Sequence, residues 1–84
     1  MTSAEPEVVR AHSHSIDHRA EILASALCGC FHCLATFPPT AIDTWVDRGE
    51  TAMCPRCGID AVLGSAAGFS LDRQFLGHMR RRWF

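Results

Sequence analysis

Apolar residues recur at helical spacing along two stretches of the chain. Ile16, Ala20, Leu23 and Leu27 fall at i, i+4, i+7 and i+11, one face of a helix that Ser15 can cap and Gly29 would end. Leu71, Phe75, Met79 and Trp83 follow one another at i+4 steps, with Leu76 widening the stripe. Ser70 stands where the cap of that helix belongs, and Asp72 lies in its first turn, where the helix dipole favours an anion. Between the two, Pro38-Pro39-Thr40 is a helix-start signal, Ile42, Trp45 and Val46 supply an apolar face, and Gly49 is placed to stop it. This middle helix has only about two and a half turns and needs tertiary packing to hold. Trp45 is expected to pack on the lobe built around the cysteines.

Residues 50–53 read as a short strand and 59–63 as a second, paired as a hairpin, while 64–68 (Gly-Ser-Ala-Ala-Gly) read as a loop. Residues 1–13 are polar without a sustained period and read as a flexible lead-in. Residues 14–84 then form a single domain, a small α+β fold of two cysteine knuckles and a short β-hairpin packed by about three helices.

Composition narrows the picture. A chain of 84 residues is one small domain, and domains of this size commonly add a metal or disulfides to a modest core. With 48% hydrophobic and 20% charged residues it is not a disordered sequence. All eight basic residues are Arg, yet the net charge is −1, so no global field draws it toward nucleic acid or an anionic membrane. No stretch approaches the roughly 18 apolar residues needed to span a bilayer. Glu5 and Glu7 stand where a secretory signal carries basic residues, which leads to the expectation of a cytoplasmic protein with reduced thiols.

Five cysteines fit a closed disulfide framework poorly and fit metal ligation well. Cys30-x2-Cys33 and Cys54-x2-Cys57 are separated by 20 residues, 34 to 53. A two-residue gap turns the chain tightly enough for two thiolates to converge on one ion, and two such turns complete a tetrahedral shell. Pro55 stiffens the second turn, and Gly58 lets the backbone bend back toward sulfur. The expected cofactor is one structural Zn2+ on Cys30, Cys33, Cys54 and Cys57. Iron in the same shell is the lesser alternative: Cys54-Pro55-Arg56-Cys57-Gly58 resembles a rubredoxin knuckle, but the chain has no Tyr and only 8% aromatic residues. A shell closed by four thiolates has no open position for water or substrate, which makes the metal structural.

The remaining candidates read more blandly. Cys28 is a packed core thiol before it is a redox thiol. His32, inside the first knuckle, points outward. His12, His14 and His18 form a loose His-x-His-x3-His cluster, read as surface residues rather than a second metal site. Arg56, Arg80, Arg81, Arg82 and Trp83 are the candidates for contact with a partner or nucleic acid. However, three clustered cations fall short of the roughly 6–10 phosphate contacts of a strong nucleic-acid binder. Asp43, Asp47 and Glu50 pair with no nucleophile, so no catalytic set is present.

The run Cys28-Gly-Cys-Phe-His-Cys33, Phe37-Pro-Pro, Ile42-x2-Trp45-Val-Asp47 and Gly49-x-Thr51-Ala52-x-Cys54-Pro-x-Cys57-Gly58-Ile-Asp60-x-Val62-x-Gly64, closing on Met79-x3-Trp83-Phe84, resembles a family of small bacterial cytoplasmic proteins of unknown function. The resemblance covers residues 15–84 and implies a small metal-binding cytoplasmic protein, with Cys28, Trp45, Asp60 and Trp83 as part of the pattern. The knuckles also resemble zinc ribbons, from which the helix expected between them departs. The leading expectation is a non-enzymatic zinc-bound module with a protein partner, no membrane and no small-molecule substrate. A nucleic-acid-binding zinc finger is the alternative, and a rubredoxin-like or thiol-redox protein the third.

Overall fold

The computed structural model describes residues 4–84, with side chains from residue 7 onward. Three helices and five short antiparallel strands make a small α+β fold. Helix α1 is Ala4–His12, α2 Arg19–Leu23 and α3 Arg73–Trp83; strands are β1 Cys28–Cys30, β2 Thr36–Phe37, β3 Trp45–Val46, β4 Thr51–Ala52 and β5 Val62–Gly64. Strand β1 is central in a three-stranded sheet of order β2-β1-β5, while β3 and β4 form a separate hairpin. No helix among the described residues is long and apolar enough to cross a membrane.

Helix α3 forms where the sequence pattern places it. Its cap is Asp72 rather than Ser70: the Asp72 carboxylate accepts the Phe75 N–H at 2.8 Å, which satisfies one of the open donors of the first turn. Phe75, Leu76 and Met79 are buried on its inner face. Leu76 and Met79 join Val8, Ile22, Val62 and Leu63 among the fully buried side chains. Each such side chain contributes roughly 1.5–3 kcal/mol relative to exposure. Gly29 in β1 lets α3 approach closely, since a Cβ there would sit 3.1 Å from Leu76 Cδ1.

The first expected helix forms only in part, with its face reversed. Ile16 is extended and Asp17 has φ +49°, so the chain leaves helical geometry and re-enters it at Arg19. The break is held from outside: Asp17 N–H donates to Thr51 Oγ1 at 2.9 Å and His18 N–H to Glu50 O at 2.8 Å. Ile16, Leu23 and Leu27 are 49%, 56% and 40% exposed, and Ile22 is the residue that enters the core. Ser15 caps nothing; its hydroxyl donates to His12 O at 2.7 Å.

The middle helix is absent. Residues Pro39–Ala41 make one 3-10 turn, and Trp45–Val46 pairs with Thr51–Ala52 through a loop in which Asp47, Arg48 and Gly49 all have positive φ. Thr, Trp and Val favour extended backbone, and a helix this short has too little buried face to outweigh that preference. The expected pairing of 50–53 with 59–63 is likewise replaced: β4 pairs with β3, and β5 pairs with β1 at Cys28↔Gly64, Gly29↔Leu63 and Cys30↔Val62. Residues Ser65–Ala67 of the expected loop form a 3-10 turn.

Residues 1–13, read as a flexible lead-in, are helical from Ala4 to His12, with Val8 and Ala11 buried; Met1 to Ser3 lie outside the described residues. Helix α1 is pinned to α3 by the Trp83 indole, whose Nε1–H donates to Val8 O at 3.0 Å while its ring stacks on His12 at 3.8 Å.

Candidate metal centre

Cys30 ends β1, and the chain turns through Phe31, His32 and Cys33 before returning as β2. The second turn, Cys54 to Cys57, follows β4 and leads to β5. Because β5 pairs with β1, and Phe31 N–H donates to Ala61 O at 2.9 Å, the exit of the second turn is fastened beside the first. The β1–β5 pairing therefore sets the two cysteine pairs side by side.

The two turns share one backbone plan. Cys30 N–H donates to Ala35 O and Leu34 N–H to Cys30 O, both at 2.9 Å. In the second turn Cys54 N–H donates to Ile59 O and Gly58 N–H to Cys54 O, again at 2.9 Å. Each turn also aims N–H groups at its first sulfur: His32 N at Cys30 Sγ (3.3 Å), and Arg56 N and Cys57 N at Cys54 Sγ (3.3 and 3.4 Å). Such donors stabilise negative charge on sulfur.

Four sulfurs, those of Cys30, Cys33, Cys54 and Cys57, all lie within 4.8 Å of one another. Cys30 to Cys57 and Cys33 to Cys54 are each 3.7 Å apart. A tetrahedral ion with metal–sulfur bonds of about 2.3 Å separates its ligands by about 3.8 Å, so the donor set fits such an ion. Among the described residues no other group of three or more His, Cys, Asp or Glu lies close enough to hold a metal. In the metal-free chain, burial raises the Cys30 and Cys57 thiols. Burial also opposes ionisation of Cys54, but the N–H groups of Cys57 and Arg56, with neighbouring thiols, lower it overall. Metal must displace these protons, which makes binding pH-dependent.

The other candidates fall apart from this cluster. Cys28 is fully buried behind it, and burial raises its thiol to about 11. His32 is half-buried rather than outward: its ring meets Phe84 edge-on at 4.7 Å, and its Nδ1 is buried without a hydrogen-bond partner. Trp45 is half-buried beneath the Arg19 guanidinium at 4.6 Å. Arg56, Arg80, Arg81 and Arg82 are exposed, and Arg82 also lies over the Trp83 ring at 4.3 Å.

The three N-terminal histidines do not converge. His12 stacks on Trp83 and His14 Nδ1 bonds Glu21 Oε1 at 3.0 Å. His18 is buried, bridging His14 O through Nδ1 (2.6 Å) and Ala52 N–H through Nε2 (3.0 Å). The Ala52 donor requires a lone pair on Nε2, so His18 is neutral with its proton on Nδ1. Burial accordingly lowers its pKa. Leu34 carries no signal in the sequence reading, and His18, expected at the surface, is instead buried. Superposing the two Cys-x2-Cys strings would have exposed Leu34 as the counterpart of Gly58; nothing in the local sequence marks His18 as buried.

Comparison with known protein families, curated proteins and solved structures finds no match to this chain.

Proposed function

We propose that the chain is a zinc-binding, non-enzymatic protein-interaction module of the cytoplasm, built on two zinc knuckles. The observation that carries this reading is the cluster of four cysteine sulfurs, two pairs of which lie 3.7 Å apart. Zinc accepts this shell without geometric strain, and the N–H···S contacts suit a thiolate-bound ion. With all four positions taken by protein, the metal supplies folding energy rather than a reactive site. Its ligands would be Cys30, Cys33, Cys54 and Cys57.

Two observations weigh against the rival readings. Trp83 spends its indole on His12 and Val8, so it is not free to stack on a base. Cys28, fully buried with a raised thiol, lacks the exposed thiolate that a redox switch requires. Affinity capture with immobilised full-length chain, metal-loaded and metal-free, tests the proposal. A protein that binds only the loaded form, and rebinds after purification, supports it; capture of nucleic acid alone contradicts it.

A further inference from the structure

The stripe expected to enter the core instead faces solvent, and beside it lies a cleft of ≈ 300 Å3. Ile16 and Ala20 line the apolar part of the cleft, while Asp17, Glu21 and Glu50 supply carboxylates. Leu23 is 56% exposed on the same face of α2, three residues beyond Ala20.

The charge here is one-sided. None of the residues lining the cleft is Arg or Lys: the neighbouring Arg19 is turned onto the Trp45 ring and donates to Gly49 O at 2.9 Å, and Arg48 lies outside the lining. His18 is buried and neutral. His14 lies against Glu21, leaving Asp17 and Glu50 with no cation within 4.0 Å among the described residues. A metal ion does not fit this acidity, because no three of these groups bring ligand atoms within reach of one centre. The volume is at the lower end of ligand clefts, roughly 300–1,000 Å3, and suits a single long side chain.

We propose that this cleft receives an Arg or Lys side chain of a protein partner. The aliphatic stem lies along Ile16 and Ala20, the charged head meets Asp17, Glu21 and Glu50, and an apolar neighbour covers Leu23. Cations with apolar stems match an apolar floor with a carboxylate rim, and charge complementarity of this kind selects the partner and speeds encounter. The assignment rests on the interaction-module reading and names the partner's chemistry.

The test titrates metal-loaded, 15N-labelled full-length chain with a 12-residue helical peptide of Ala, Leu and Arg, acetylated and amidated. The control peptide carries neutral citrulline for each Arg. Expected are saturable amide shifts confined to residues 13–24 and 49–51, absent with citrulline. Asp17→Asn with Glu50→Gln should weaken binding by about fivefold or more. Both side chains are exposed, and Asn tolerates the positive φ at 17, so far-UV CD and metal content should be unchanged. Leu23→Ser should weaken binding while leaving the salt dependence intact. Equal binding of the citrulline peptide, unaltered affinity in the double variant, or shifts centred elsewhere overturns the assignment. Spermidine binding tighter than the peptide at the same residues overturns the protein source in favour of a free polyamine. A protein partner mapped to another face removes this cleft assignment but leaves the interaction-module reading standing.

Discussion

Leu34 and Gly58 hold the same place in the two cysteine turns, four residues after the first thiol, with φ of +67° and +79°. In each turn this residue's N–H donates back to the first cysteine's carbonyl at 2.9 Å. Gly adopts that conformation freely, whereas Leu does so against steric cost and is held by its packing on the core. Gly58→Ala should therefore cost about 1–2 kcal/mol, although a Cβ there has open space around it. A lower urea midpoint at unchanged metal stoichiometry is the expected result.

His18 is the latch between the start of α2 and β4. It is neutral in the fold, with a pKa lowered by burial, so the unfolded chain takes up the proton more readily. Its contribution is fully present above the ordinary value of 6.5 and is lost as pH falls through the lower folded value. At neutral pH, His18→Gln should cost roughly 1–3 kcal/mol by leaving the Ala52 N–H and His14 carbonyl imperfectly paired. Urea midpoints followed from pH 7.5 to below 6 should show the wild-type advantage shrinking as pH falls. Metal content measured in the same samples separates the His18 contribution from acid release of metal.

Gly64 faces Ser25, whose hydroxyl donates to Glu21 O at 2.8 Å and accepts the Ala66 N–H at 2.9 Å. A Cβ at position 64 would collide with that hydroxyl and press on Ile22 Cδ1. Gly64→Ala should destabilise by roughly 1–3 kcal/mol through overpacking. Gly64→Ala combined with Ser25→Ala should recover part of the loss in thermal melts.

Trp83→Phe keeps an aromatic ring on His12 but removes the donor to Val8 O. The cost should be about 1 kcal/mol and should fall on α1. Amide exchange should quicken across residues 7–12 while β1 and β5 keep their protection.

What could be read from the sequence follows the range of the forces involved. The four metal-ligand candidates and helix α3 rest on short spacings, Cys-x2-Cys and i+4, that local geometry sets directly. The β1–β5 pairing joins Cys28–Cys30 to Val62–Gly64 across more than thirty residues, and nothing local marks it. The stripe at Ile16, Ala20, Leu23 and Leu27 misleads because Asp17 and His18 spend their N–H groups on Thr51 and Glu50, which breaks the helix and turns the stripe outward. Helix α1 was hidden by its polar composition: among its described side chains only Val8 and Ala11 are buried, and its anchor is the distant Trp83.

The central claim is that a metal held by Cys30, Cys33, Cys54 and Cys57 maintains this fold. Its most direct test is far-UV CD recorded while a chelator removes metal, with released zinc quantified in the same sample. One zinc released per chain, with loss of structure that returns when zinc is restored, is the predicted result. A native spectrum after complete metal removal would contradict it.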